Sequence, residues 1–178
     1  MEQVIPPKEA EEFMVRVGRK KVEEQRERKE NVERHRRRLK FWGQLLPTLS
    51  GQAAALFSNR SPGKDHWLSG STGHSGVNHN FHFLKDRIRY ELYVGNSDHD
   101  YNKRIYDALF EKRENIEEAF GQELDWRRLD DKKSSRIFAE KLVESYDEDN
   151  WEEAFVWLNE QMNRGIKAFQ PELDRLKV

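Results

Sequence analysis

Two groups of side chains between Asn59 and Tyr93 are equipped to bind a ligand. The first is Asn59, Arg60, Lys64 and Trp67 in a stretch punctuated by glycine and serine, followed by Lys85, Arg87 and Arg89. Cations interleaved with an aromatic ring can hold phosphates and stack a base, which is what single-stranded nucleic acid asks of a binding surface. The hydroxyls and glycines from Ser69 to Gly76 add backbone donors of the kind that form anion-binding turns. The second group is an alternating row of Asn80 and His82, then Arg87, Arg89, Glu91 and Tyr93. A period of two places these on one face of paired strands. Within the row, Glu91 beside Arg89 could act as a base in a small-molecule pocket.

Other chemistries fit the spacing poorly. Metal-dependent nucleases of the restriction type use an acidic residue two positions before a lysine, whereas Glu91 is followed by Leu92 and Tyr93. His66, His74, His79 and His82 lie close in sequence, but on a strand His79 and His82 face opposite ways and share no metal without a bulge. Ser71 and Ser75 flank His74 without the G-x-S-x-G turn of a nucleophile elbow. Asp130-Asp131 reads as a polar turn. The chain has no cysteine, so thiolate nucleophiles, disulfides and cysteine zinc sites are excluded. That composition fits a reducing cytoplasm. No cofactor, no metal and no autonomous catalytic activity are expected.

Charged residues (37%) slightly outnumber hydrophobic ones (35%), yet 11% are aromatic, so the two classes must occupy different segments. The length of 178 residues suits one domain with an appended charged segment. The net charge of −1 hides a basic run at Arg34 to Lys40 and an acidic run around Glu144 to Glu153. A basic run can attract nucleic acid or form a solvated helix face. No apolar run approaches the roughly 20 residues that span a bilayer, and no signal-peptide pattern opens the chain. A soluble cytoplasmic protein is the expectation.

Residues 8–46 read as helix, stopped by Pro47. Its middle is almost devoid of apolar side chains and is laced with i,i+4 pairs such as Glu24 with Arg28 and Glu33 with Arg37. Leu39, Phe41, Trp42, Leu45 and Leu46 are expected to dock on a core. Hence residues 1–38 form a charged helical linker or extension, and 39–178 a single α+β domain. A helix so polar has little intrinsic reason to fold alone, so it is also a candidate for pairing with a second copy.

Ser50 to Val77 reads mostly as loop, with a helical turn at Gln52 to Phe57 and an anchor at Trp67-Leu68. A hairpin follows, turning near Lys85-Asp86, with Phe81, Phe83, Ile88, Tyr90, Leu92 and Val94 toward the core. Asp98 caps a helix over 98–120 that Gly121 ends. Two short strands span Leu124 to Leu129 and Ser134 to Ala139. A helix over 150–169 carries Trp151, Phe155, Leu158, Met162, Ile166 and Phe169 as one stripe, with Asn150 and Glu153 as a capping box. The fold class is α+β: a four-stranded antiparallel sheet from two hairpins with packing helices.

The succession LKFWGQLLP, LFSNRSPGKDHWLS, SGVNHNF, KDRIRYELYV, NKRIYDAL, LDWRRLDDKKSSRI and the closing tryptophan-bearing helix resembles a prokaryotic domain of unknown function, the one numbered 4268. The likeness covers about residues 39–176. In that family the domain looks like a carboxy-terminal module, often following a region similar to restriction-endonuclease-like nucleases. The resemblance therefore implies a part in DNA maintenance or defence. Ahead of residue 39 this chain has only the charged helix, which resembles the linker of those longer proteins.

These readings combine into one expectation: an accessory module that binds nucleic acid or a nucleotide. Arg60, Lys64, Arg87 and Arg89 would meet phosphates with Asn59 among the binding residues, Trp67 or Tyr93 would stack, and Glu91 would lie on the same face. DNA or RNA is the expected partner. The alternative is a protein-interaction or oligomerisation domain using the N-terminal helix, with no membrane contact in either case.

Overall fold

The computed structural model describes residues 7–177, and the chain divides into two compact units, Met1–Arg37 and Arg38–Val178. In the first unit, helix α1 (Lys8–Leu45) exposes almost every side chain up to Arg37. Ion pairs along its surface include Arg26 with Glu30 at 3.1 Å and Arg36 with Glu33 at 3.3 Å. Each contributes only tenths of a kcal/mol at such exposure. Phe13, Met14, Val15, Val22 and Val32 are all more than half exposed.

The second unit is built on an antiparallel sheet of β1 (Trp67–Ser71), β2 (Val77–Phe83), β3 (Arg87–Val94), β4 (Asp125–Arg127) and β5 (Ser135–Leu142), in the order β1-β2-β3-β5-β4. The α+β class holds, but the sheet has five strands where the sequence pattern predicts four. The extra strand is β1, whose serines and glycine read as loop. Leu68 and Gly70 point to the core while Trp67, Ser69 and Ser71 point away, and the whole strand pairs with β2. Gly70 is required because a Cβ there would lie 2.7 Å from the Leu56 side chain. The strand therefore carries too little apolar area to announce itself by hydrophobicity.

Helices α2 (Gly51–Leu56), α3 (His99–Glu111), α4 (Arg113–Phe120) and α5 (Trp151–Arg175), with the end of α1, all pack on one sheet face. That face is the apolar half of the alternation: Val77, Phe81, Phe83, Ile88, Tyr90, Leu92, Val94 and Ile137 are buried. The predicted α5 stripe is buried throughout. Phe41 stacks on Phe83 with ring centres 3.9 Å apart, and the Trp42 indole donates to the Asp65 carbonyl. Leu39 is 38% exposed and does not dock.

Three further details differ from the sequence reading. The segment 98–120 is two helices, broken at Lys112. Asp98 caps the first, accepting from the backbone N–H groups of Asp100 and Tyr101. Asn150 makes no cap bond. Its amide donates to the Glu144 carbonyl, and Glu153 pairs with Lys141. Finally, α5 continues past Phe169 and through Pro171.

Tyr90 is the contact point between sheet and α5. A Cβ on Gly165 would lie 2.0 Å from its ring, so the helix approaches this closely only because residue 165 is glycine. The Tyr90 hydroxyl bonds His79 Nδ1 at 2.8 Å, and His79 Nε2 bonds Gln170 at 3.3 Å. Burial lowers the His79 pKa to about 4, against a weaker upward pull from the Gln170 bond.

Two predictions follow from this contact. Gly165→Ala is expected to destabilise the domain by about 1–3 kcal/mol through overpacking, measured as a lowered urea midpoint. His79 binds its proton more readily when the chain unfolds, so stability is lost as pH falls from 6.5 to about 4. The full loss is about 3 kcal/mol, and His79→Gln should flatten that decline in unfolding titrations.

Candidate functional site

Among the described residues of the second unit no helix packs on the other face of the sheet, and pairing sets its side chains in rows. Trp67, His82, Arg89 and Glu140 form one row. Ser69, Asn80, Glu91, Phe138 and Asp125 form the next, and Ser71, Asn78, Tyr93, Arg136 and Arg127 the third. Sheet pleat and twist leave a concavity of about 350 Å³ here, lined by His66, Trp67, Ser69, Asn78, Asn80, His82, Glu91, Tyr93 and Arg136.

Glu91 is its floor and is fully buried. One carboxylate oxygen accepts from His82 Nε2 at 2.9 Å and the other from Arg89 at 3.3 Å, with the Arg136 guanidinium 3.7 Å away. Burial pushes the Glu91 pKa up. The His82 hydrogen bond and the charges of His82, Arg136 and Arg89 together pull it down further, so the carboxyl ends below its ordinary value. Arg89 also donates to Glu140 at 2.8 Å and lies 3.9 Å over the Phe138 ring. Arg87 is held by Asp86 and Glu140.

Among the described residues, Asn80 Oδ1 and Arg136 Nε are buried polar atoms on this face without a hydrogen-bond partner. Asn80 is only 5% exposed. The rim is aromatic, with Trp67 40% exposed and the Tyr93 ring 5.5 Å below the Arg136 guanidinium. His66 stands edge-on to Trp67 at 4.7 Å and 5.8 Å from the His82 ring. Its pKa is lowered by burial first, then by the charges of His82 and Arg38, against the opposing pull of Asp65.

Of the residues named from sequence, His66, Trp67, Asn80, His82, Glu91 and Tyr93 line the concavity. Arg89 fixes its floor, and Arg87 lies beside the β2–β3 turn. Asn59, Arg60 and Lys64 occupy the exposed segment between α2 and β1 and do not line it. The Lys64 carbonyl accepts from Arg38 at 3.1 Å. Asn78 and Arg136 join the site without having been singled out, and Ser69, read as part of an anion-binding turn, joins it as a strand residue. The alternation Trp67-Ser69-Ser71 in β1 and Arg136-Phe138-Glu140 in β5 was the available signal.

His79 and His82 do face opposite ways, one toward Tyr90 and the other toward Glu91. Among the described residues no three His, Asp or Glu side chains form a metal-ligand set. No helix among them is long and apolar enough to cross a membrane.

Neutralising Glu91 tests the floor. Glu91→Gln leaves Arg89, Arg136 and His82 facing one another without an anion. We expect a loss of about 3–5 kcal/mol in unfolding free energy, measured by urea denaturation at neutral pH.

No curated protein and no solved structure gives a significant match to this chain. The family model described as "Domain of unknown function (DUF4268)" matches residues 37–172, which spans the sheet, its helices and the concavity. The chain belongs to that family.

Proposed function

We propose that the helix-free face binds an unpaired nucleotide, free or within a single strand, and that the domain is an accessory module of nucleic-acid maintenance. The observation that carries this is an aromatic-rimmed cavity lined by Asn80, whose buried amide oxygen has no hydrogen-bond partner among the described residues. A buried acceptor without a donor costs about 1–3 kcal/mol, and the amino or imino edge of a base supplies that donor. The volume of about 350 Å³ suits a single nucleoside and not a duplex. Trp67 offers an exposed ring, and a stacked base contributes about 1–3 kcal/mol.

Charge refines this reading. Arg87 and Arg89 are already matched by Asp86, Glu91 and Glu140, so a phosphate would have to displace those partners. Arg136 holds Glu91 only at 3.7 Å and its side chain is 39% exposed, so it is the cation best placed to meet a phosphate. A strand longer than one nucleotide would run on toward Lys64 and Arg60, in the loop that leads to His66.

Tryptophan fluorescence for mononucleotides and anisotropy for labelled oligonucleotides, each at two salt concentrations, test the reading. A mononucleotide should show a salt slope of about one, and a longer single strand a steeper one. Trp67→Ala should weaken binding at least about tenfold, and Arg136→Ala should remove the mononucleotide's salt dependence. Equal affinity for duplex and single strand, or full binding by Trp67→Ala, would count against it.

A second reading, self-association through α1, is favoured by Phe13, Met14, Val15, Val22 and Val32, which stand more than half exposed on a single helix. Sedimentation equilibrium decides it: a monomer at high micromolar concentration removes this reading.

A further inference from the structure

We infer that the same cavity cleaves RNA by general acid–base catalysis, with His66 as the base, His82 as the acid and Arg136 facing the developing negative charge. The inference rests on the binding reading above and adds to it a substrate class and a reaction.

Two imidazoles, with ring centres 5.8 Å apart, share one wall of a cavity sized for a nucleotide. In-line displacement at phosphorus places the entering and leaving oxygens on opposite sides of one atom. Each proton-transfer group must come within about 3 Å of its oxygen. Two rings a few ångström apart satisfy that requirement for one phosphodiester.

The two environments divide the roles, as they must when one group has to be neutral and the other charged. His82 is buried, and its Nε2 is bonded to the Glu91 carboxylate, an anion placed to offset the positive charge that the acid role requires of the ring. Among the described residues its Nδ1 has no partner, which leaves that N–H for a substrate oxygen. His66 is half-buried and lies among Arg38 of α1, His82 of β2 and Arg136 of β5, with Asp65 opposing. Burial and these charges favour its neutral, proton-accepting form. Glu91 is a positioning residue, because both its oxygens are already occupied by cationic partners.

Ribose supplies the nucleophile. His66 takes the proton of the 2′-hydroxyl, the 2′-oxygen forms a bond to phosphorus, and the bond from phosphorus to the 5′-oxygen breaks. His82 then gives its Nδ1 proton to the departing 5′-oxygen. The products are a 2′,3′-cyclic phosphate and a free 5′-hydroxyl, with atoms and charge balanced and no metal or co-reactant required. Charge accumulates on the non-bridging oxygens, where the Arg136 guanidinium is the available donor. DNA lacks the 2′-hydroxyl, so it can bind but cannot react.

A labelled oligoribonucleotide and its all-2′-deoxy counterpart, incubated with the full chain in the presence of a chelator, test this. The expected result is ribose-dependent cleavage to fragments that mass spectrometry identifies as 2′,3′-cyclic phosphates, while the deoxy strand is bound and intact. His66→Gln and His82→Gln should each slow cleavage by about a hundred- to ten-thousand-fold. The acid limb of the rate profile should have its midpoint below the ordinary histidine value of 6.5, because His66 must lose its proton to act.

If His82→Gln fails to fold, the His66 variant and the deoxy comparison on the unaltered protein still decide the matter. RNA that is bound but uncut, deoxy strands cut equally, or cleavage indifferent to His66→Gln would overturn the inference and leave the binding reading standing. RNA that is not bound at all would overturn both.

Discussion

Taking the Glu91 carboxylate out of water is costly, and the attraction of surrounding cations offsets that cost only when the geometry is tight. Much of the polar sheet face can be understood as meeting this requirement. His82 comes from β2, Arg89 from Glu91's own strand, and Arg136 from β5. Three strands are thus tied through one carboxylate, and the ring and two guanidinium groups that hold it cannot turn elsewhere without exposing a buried charge. The aromatic rim is fixed at second hand, since Tyr93 lies beneath the Arg136 guanidinium and Trp67 pairs across from His82. Preorganisation of this kind keeps a small cavity open without a ligand to prop it.

A second buried charge supports the first from the far side of β5. Lys103 of α3 is 4% exposed, and its ammonium donates to the carbonyls of Arg128, Leu129 and Ser134 and to the Ser135 hydroxyl. Desolvation pushes its pKa down, yet the surrounding oxygens satisfy the cation. This pins the β4–β5 connection, and residue 136 follows directly from it. An ion on the helix side therefore helps set the position of a guanidinium on the open side. On the helix side, too, the Tyr90–His79–Gln170 chain ties β2 and β3 to α5 and reaches on to the Thr72 carbonyl.

Much of this was legible in the sequence because two of the periods are clean. The apolar alternation in β2 and β3 and the stripe from Trp151 to Phe169 gave the core, and the polar half of the same alternation gave Asn80, His82, Arg89, Glu91 and Tyr93 as neighbours. What could not be read was pairing across the sheet. Arg136 enters the site only because β5, and not β4, sits beside β3. Ser69 enters only because β1 is a strand, a fact hidden by Gly70, whose missing side chain is what lets Leu56 approach. Arg60 and Lys64 were drawn in by charge and sequence proximity, but proximity along a loop does not fix direction. They stand outside the concavity because, among the described residues, backbone pairing of that segment to β2 begins only at His66, whose carbonyl accepts from the Phe83 N–H.

The strict alternation also sets how this domain can change over evolutionary time. Core and site residues interleave one by one along β2 and β3, so inserting or deleting a single residue would exchange Asn80 and His82 with Phe81 and Phe83 and invert both faces at once. Point substitutions on the open face carry no such penalty for the core, except at the charges that surround Glu91. Descendants of this chain can thus alter what the cavity holds by replacing side chains in place, while length variation is confined to connections such as the stretch from Asn59 to Asp65. Strand length is the conserved quantity to look for, and loop length the free one.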